Sequence, residues 1–429
     1  MSTYEDNYKT ALELSQDRPE KRLAALKNAY ERRRAEERSV NSSAEFVNNH
    51  IHSIYSFSPY SPTAAACAAK RNGLTTAGIM DHDSVAGAWE FLEACKITGV
   101  AATVGFECRV KMDHSPFVGR RINNPDQNSI AYMACHGIPH QNIEKAQKWL
   151  KPYRESRALR DRLMVERLNK SLSGSGIDLD FKPDVEMISQ FKSGGVITER
   201  HILFALALKI SKRFGRGKAC LEFLTDELSL PVGEKTAAAL LNPDDPIYEY
   251  HLLGVLKAHL VKEFYIDAND ECPDVFEFLE FVKSIGAISA YPYLGDVTDS
   301  ITGDKKSNRF EDEYLEELID WLVREGFNAV TYMPARNSLE QLQRLMRLSD
   351  AGGLFQISGE DINAPTQSFI CEMLAQPAFR HLVDSTWALI GHEKAASVDQ
   401  SNGMFSSKAV QAMPDLKERI AYFGKKGRS

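Results

Sequence analysis

The chain has 429 residues, 43% of them hydrophobic and 26% charged, so it can bury one large core with an accessory domain, or two ordinary domains. The formal net charge of −7 excludes a general attraction to nucleic acid or anionic membranes, and no long nucleic acid is expected as a partner. The N-terminus lacks an apolar stretch of signal-peptide or transmembrane length, and the seven cysteines form no CxxC pair. The sequence therefore predicts a cytoplasmic protein with reduced thiols and no membrane partner.

The first part of the chain begins with a helical pattern and then alternates strands with helices. Residues 1–44 repeat apolar positions at helical spacing and predict an N-terminal helical extension. Residues 46–110 contain three strand-like segments separated by two helix-like segments, an order that predicts parallel strands. Ser61 is expected to start the first of these helices, and Gly73 and Gly99 are expected to end the two helices.

The middle and the end of the chain predict an insertion and a return to the barrel. Residues 137–275 are mostly helical in pattern and are expected to form the insertion. Later strand-like segments alternate again with helices, which predicts a barrel built from residues 45–136 and 276–400. Residues 401–429 are expected to be a tail whose last residues, KKGRS, are disordered. The oligomeric state stays open, because the helical extension could cap the barrel or join subunits.

Side chains that can bind metals occur at the ends of three consecutive predicted strands. His50 and His52 lie two residues apart, so both imidazoles project from one face of the first strand. Residues 81–83, Asp-His-Asp, end the second strand, and Glu107 ends the third. Barrel active sites form at such C-terminal strand ends, and imidazole with carboxylate suits zinc, manganese or iron. The simpler alternatives are an incidental HxH pair and a helix cap at Asp83 or Ser84.

Several segments resemble the successive motifs of the PHP family, named for polymerase and histidinol phosphatase: NHIHSIYS, GLTTAGIMDHDSVAGAWEF and GVAATVGFE. The later segments RLMVERLNKSLSGSGIDLDF and GGVITERHILFALA resemble the nucleotide-cleaving PHP phosphoesterases that have a helical insertion. The segment FQISGEDINAP resembles the closing strand of the family. The resemblance implies an α/β fold, a distorted seven-stranded (β/α) barrel that holds up to three metal ions at its mouth. It also implies a first metal site of His50, His52, Glu107 and Asp361.

The second metal site implied by the resemblance is only partly matched. Glu107 would bridge two ions, and His201, which matches the metal-ligand histidine that ends the helical insertion in the family, would be a ligand. The family's further histidine, near the fourth strand, is replaced by Tyr132. His136 lies close by and could substitute as a ligand, or could have a structural role.

The third site departs most clearly from the family pattern. The family's Ser-Asp-Gly is Ser56-Phe57-Ser58 here, its His-Pro is Tyr291-Pro292, and its closing Asp-x-His ends in Asn363. Only His82 is retained. Phenylalanine cannot bind a metal and asparagine is a weak neutral ligand, so we expect one or two divalent ions and no tightly bound third ion.

The resemblance implies a metal-dependent phosphoesterase acting on small phosphomonoesters, with nucleotides favoured. Glu107 would be the central catalytic residue, and His82 could protonate the leaving group. Arg200, Arg336 and Lys306 are candidate phosphate ligands, although each could instead form a surface salt bridge. Two alternatives remain: a metal-binding regulatory protein without turnover, and a hydrolase of a non-phosphate ester.

Overall fold

The computed structural model describes residues 3–15, 18–33, 45–299, 306–308 and 310–429. Its main feature is a seven-stranded sheet in the order β1-β2-β3-β4-β5-β8-β9, which curves into a nearly closed barrel. The predicted α/β barrel of seven strands is therefore confirmed. The strands are β1 Phe46–Ile51, β2 Leu74–His82, β3 Ala101–Lys111, β4 Ile130–His136, β5 Ile288–Tyr293, β6 Val297–Asp299, β7 Lys306–Asn308, β8 Ala329–Tyr332 and β9 Phe355–Ser358.

The helices surround this barrel and form the inserted and terminal segments. They are α1 Thr3–Glu13, α2 Pro19–Arg33, α3 Pro62–Arg71, α4 Ala88–Thr98, α5 Ile143–Ser171, α6 Glu199–Phe214, α7 Lys218–Glu222, α8 Glu234–Leu240, α9 Tyr248–Phe264, α10 Val275–Ser284, α11 Leu315–Glu325, α12 Leu339–Gly352, α13 Arg380–Val398, α14 Ser407–Ala412 and α15 Leu416–Arg428. Within the described ranges, no helix has the length and apolar character needed to cross a membrane. The side chain of Ser61 caps α3 by accepting from the backbone N–H of Ala64, and α4 ends at Gly99 with φ +68°, as predicted.

The barrel is not wholly parallel. Strands β1, β2 and β3 pair in parallel, as predicted, and so do β5, β8 and β9. Strand β4 instead runs antiparallel to both of its neighbours, β3 and β5. Because β4 continues the ladder past the barrel mouth, β3 extends four residues beyond Glu107. The prediction that β3 ends at Glu107 is therefore wrong, and Glu107 projects from within a strand.

The first and last strands meet at a seam that closes the barrel. The backbone N–H of His52 donates to the carbonyl of Ile362 at 3.0 Å, and the N–H of Ile362 donates to the carbonyl of His50 at 3.1 Å. Two buried amide side chains reinforce the seam, since Asn48 and Asn49 donate to the carbonyls of Glu360 and Ser358. The ends of β1 and β9 are therefore held side by side.

Helices α5 to α9 form a unit with its own apolar core, in the segment expected to be an insertion. Buried side chains of α5, α6 and α9 meet there, among them Met164, Leu206 and Leu256. A buried ionic network joins this unit to the barrel. Arg157 of α5 contacts Asp83 at 2.8 Å and Glu199 at 3.2 Å. The guanidinium groups of Arg109 and Arg160 both contact the carboxylate of Glu271.

The two ends of the chain pack against the barrel helices. Arg22 of α2 contacts the buried carboxylate of Glu90 at 2.5 Å, so the described part of the N-terminal extension is fixed to α4; residues 34–44 of the extension lie outside the described residues. The expectation that the last residues, KKGRS, are disordered is wrong, because α15 extends to Arg428 and packs on α13. Gly391 and Gly427 allow this close approach, since a Cβ at either would overlap the facing helix backbone.

Candidate metal centre

Four side chains expected to form the first metal site converge at the mouth of the barrel. The ligand atoms of His50, His52 and Glu107 all lie within 4.8 Å of one another. Oε1 of Glu107 is 3.5 Å from Nε2 of His50 and 3.4 Å from Nε2 of His52. Oδ1 of Asp361, carried to the site by the seam after β9, is 3.2 Å from Nε2 of His52. The end of β1 thus supplies the two histidines, the interior of β3 supplies Glu107, and the segment after β9 supplies Asp361.

The electrostatics of the cluster follow from charges held close together away from water. Burial lowers the pKa of His50, but the neighbouring carboxylates, Glu107 foremost and then Asp361 and Glu360, together outweigh burial and raise this pKa to about 9. Burial raises the pKa of Glu107, but His82 and His50 hold it well below its usual range. The pKa of Asp361 is likewise lowered by His52 against the effect of burial. Both carboxylates are therefore anionic at neutral pH.

Unpartnered nitrogen atoms indicate that the cluster suits a metal ion. Nε2 of His52 and Nδ1 of His82 are buried and have no aligned hydrogen-bond partner within the described part of the chain. A buried polar atom without a partner is costly, and a cation bound beside the two carboxylates would satisfy Nε2 of His52. Neutral imidazole nitrogen with carboxylate oxygen is a donor set suited to zinc, manganese or iron. The residues present thus fit the divalent ion that the sequence predicts.

His82 lies at the edge of the cluster. Its Nδ1 is 3.0 Å from Oε1 of Glu107, and its ring centroid is 4.7 Å from that of His52. The side chain is 25% exposed, more than those of the other two histidines of the cluster, and it lines the cavity at the barrel mouth. His82 is therefore accessible to a molecule in that cavity.

The two histidines expected at the second site lie in different surroundings. His136 ends β4 and is buried with an unpartnered Nε2, and burial and the nearby charge of His50 lower its pKa to about 3. His201 uses its Nδ1 to accept from the backbone N–H of Thr198 at 3.1 Å. The ring of Phe57 meets His201 edge-on at 5.1 Å. Neither belongs to the group of mutually close ligand atoms found among the described residues, so the structure does not assemble a complete second site from them.

The residues that depart from the family pattern at the third site have other contacts. Tyr291 donates its hydroxyl to Glu311 at 2.5 Å. Asn363 donates to Oδ1 of Asp361 at 2.6 Å and accepts from the guanidinium of Arg200. An arginine therefore stands beside the cluster, fixed by the asparagine that replaces the expected histidine.

A cavity of about 210 Å³ opens directly over the cluster. Its wall combines polar groups with aromatic and apolar side chains, including Asn123, Tyr132, Tyr293, Leu294, Tyr332 and Met333. Two of the three candidate phosphate ligands, Arg200 and Arg336, line it. Nε of Arg336 donates to the carbonyl of Leu294 at 3.1 Å. Lys306 is in β7, and its side chain lies outside the described part of the structure.

Sequence reasoning missed the roles of the two aspartates at the end of β2, Asp81 within the strand and Asp83 just after it. Asp81 accepts hydrogen bonds from Ser53 and Ser56, so it supports the cluster from behind. Asp83 pairs with Arg157 and does not cap α4, whose N-cap is Gly87. The alternative of a helix cap at Asp83 or Ser84 is therefore wrong, because no side chain caps the start of α4. The Asp-His-Asp pattern marked these residues as polar groups at a strand end but could not identify partners distant in the chain.

The fold and the cluster define a class: α/β barrel proteins with an imidazole–carboxylate centre at the barrel mouth. Residues 48–327 match the family model of the PHP domain, which is well over half of the chain. The protein therefore belongs to the PHP family, as the sequence motifs predicted. Asp361 lies beyond the matched residues and reaches the cluster through the seam.

Solved structures with the same fold include two from bacteria. One, from Bifidobacterium adolescentis, carries the provisional name of a metal-dependent phosphoesterase; it has 19% identity and a TM-score of 0.52, and the match covers 80% of this chain and 98% of that one. The other is an amidohydrolase from Chromobacterium violaceum with bound sulfate and no metal; it has 17% identity and a TM-score of 0.50, with 79% and 96% covered. No curated protein matches the chain.

Proposed function

We propose that this protein is a metal-dependent hydrolase, and specifically a phosphoesterase of small phosphomonoesters, with nucleotides as the favoured substrates and the cytoplasm as its location. The observation that carries the proposal is the cluster of His50, His52 and Glu107 beneath a cavity lined by two arginines. The name of the Bifidobacterium neighbour also supports a phosphoester substrate.

The metal would be held by the imidazoles and carboxylates at the barrel mouth. His50, His52, Glu107 and Asp361 would hold one divalent ion, and Glu107 with His136 or His201 would contribute to a second. When bound, such ions activate water as a nucleophile and neutralise charge that develops on the phosphoryl group. Zinc, manganese and iron all suit this donor set.

Arg200 and Arg336 would bind the phosphate. Both line the cavity, and the guanidinium fork matches two phosphate oxygens. Asn363 holds Arg200 beside Asp361, which places a fixed positive charge near the cluster. This arginine would compensate for the third ion, whose expected ligands are replaced.

His82 would donate a proton to the leaving group. It is partly exposed in the cavity while its Nδ1 contacts Glu107, so the ring has one side toward the cluster and access to the substrate. An imidazole can carry a proton on a ring nitrogen and pass it to a neighbouring oxygen, so His82 suits proton transfer to the leaving group. The aromatic wall of Tyr132, Tyr293 and Tyr332 would suit a planar base.

The test is release of inorganic phosphate from a panel of nucleoside monophosphates by protein reconstituted with manganese or zinc. Glu107→Gln is expected to abolish release, because it removes a ligand charge while keeping the side-chain size. Glu317→Gln is the matched control, since Glu317 lies in an exposed pair with Arg120. This variant should release phosphate at the wild-type rate. Phosphate release that persists in Glu107→Gln would contradict the proposal.

Two other functions make different predictions in the same experiment. A binding or regulatory protein, favoured by the replaced residues Phe57, Tyr291 and Asn363, would bind metal and nucleotide without release. A hydrolase of non-phosphate bonds is favoured by the name of the Chromobacterium neighbour, an amidohydrolase. It would turn over neutral esters or amides with the same dependence on Glu107.

A further inference from the structure

Asp81 is the centre of a buried hydrogen-bond group directly behind the metal cluster. Its Oδ1 accepts from the backbone N–H of Ser53 at 2.6 Å and from Oγ of Ser56 at 2.7 Å. Its Oδ2 accepts from Oγ of Ser53 at 2.7 Å. All three residues are buried, so water does not compete for these contacts.

Ser56 links this carboxylate to a cluster histidine, because its Oγ also lies 3.1 Å from Nδ1 of His52. A hydroxyl has one hydrogen to donate, and a carboxylate can only accept. Ser56 therefore donates its hydrogen to Asp81 and accepts from His52. His52 must then carry its proton on Nδ1, which leaves the lone pair on Nε2.

The other nitrogen of His52 is where a metal ligand is needed. Nε2 is buried, lies 3.4 Å from Glu107 and 3.2 Å from Asp361, and has no aligned hydrogen-bond partner in the described ranges. A neutral imidazole binds a metal through the nitrogen that bears no proton. Fixing the proton on Nδ1 therefore prepares Nε2 for the ion.

We propose that Ser56, held by Asp81, is a positioning residue that fixes the tautomer and orientation of His52 and so sets the metal affinity of the site. The proposal rests on the metal centre of the proposed function but not on its substrate. It also gives a role to the first residue of Ser56-Phe57-Ser58, a segment whose departure from the family pattern suggested only loss of a third ion.

The chain offers a matched pair of variants. Ser56→Ala removes the hydroxyl that joins Asp81 to His52. Ser53→Ala removes an equally buried hydroxyl from the same carboxylate, but that hydroxyl does not contact His52. Zinc affinity, measured by competition with a chromogenic chelator, is expected to fall about 10- to 100-fold in Ser56→Ala, the range for loss of a partner that orients a ligand. Ser53→Ala should change it less than about threefold. Equal affinities in the two variants would overturn the proposal.

A second measurement does not depend on how Ser56→Ala or Ser53→Ala folds. The wild-type protein, metal-free and labelled with ¹⁵N-histidine, gives separate resonances for protonated and unprotonated ring nitrogens, and His52→Gln identifies the pair that belongs to His52. We expect the proton of His52 on Nδ1, and a proton on Nε2 would overturn the proposal. Neither measurement uses a substrate. If the protein releases no phosphate yet Ser56→Ala loses zinc affinity, the proposed reaction fails and the role of Ser56 stands.

Discussion

Replacing Arg157 with methionine tests whether the buried ionic network holds the inserted helices on the barrel. The Arg157 side chain is 4% exposed and contacts Asp83 at 2.8 Å and Glu199 at 3.2 Å. At an effective dielectric constant of about 20, each contact contributes roughly 5 kcal/mol of attraction, most of which offsets the cost of burying the charges. In Arg157→Met the carboxylates still bear the cost of burial, but the attraction to the guanidinium is lost. We therefore expect the free energy of unfolding to fall by about 3–5 kcal/mol.

The assay is urea unfolding followed by tryptophan fluorescence and circular dichroism, with the midpoints compared at a shared slope. Arg120→Met is the matched control, because Arg120 forms an exposed pair with Glu317 at 2.8 Å and should change the free energy of unfolding by about 1 kcal/mol or less. Equal losses in the two variants would refute the assignment of Arg157 as a buried link.

Two further predictions concern a titrating carboxyl and a close backbone contact. Burial raises the pKa of Asp161 to about 7, so the folded protein holds a proton that the unfolded chain releases near pH 4. The free energy of unfolding therefore falls by about 4 kcal/mol as the pH rises from about 4 to about 7. Asp161→Asn should remove that part of the pH dependence in urea unfolding; an unchanged pH profile would be contrary to this prediction. Gly105→Ala should lower the free energy of unfolding by about 1–3 kcal/mol, because the new Cβ would overlap the carbonyl of Cys135 and approach Met80 Cε at 2.6 Å. Gly254→Ala, in an open position of α9, should instead raise it by about 0.5–1 kcal/mol, and a similar loss in both variants would count against the steric argument.

The sequence predicted the barrel and its cluster because the determining patterns are local. His50 and His52 share a strand face, and the segments with Glu107 and Asp361 carry motifs readable without tertiary information. The position of Glu107 inside β3 was not predictable in this way. It depends on the antiparallel pairing with β4, which forms only when residues 130–136 fold back against β3.

The polar network could not be predicted for a different reason. Arg157 meets Asp83 across 74 positions of sequence, and Arg160 meets Glu271 across 111. On the sequence alone, the basic residues of α5 look like the solvated face of a helix. Similarly, the pattern in KKGRS reads as a polar terminus, whereas close packing at Gly427 keeps it in a helix against α13.

Because of the seam between β1 and β9, the cluster is complete only when the whole barrel has folded. His52 and Asp361 are neighbours in space although about 310 residues of chain separate them, and the backbone contacts at Ile362 hold them together. During synthesis, a ribosome-bound chain that has not yet reached Asp361 has histidines but lacks the carboxylate that completes their site. The site therefore reaches its full affinity for a metal ion only after the last barrel strand is in place. A bound ion then links the two strands that meet at the seam.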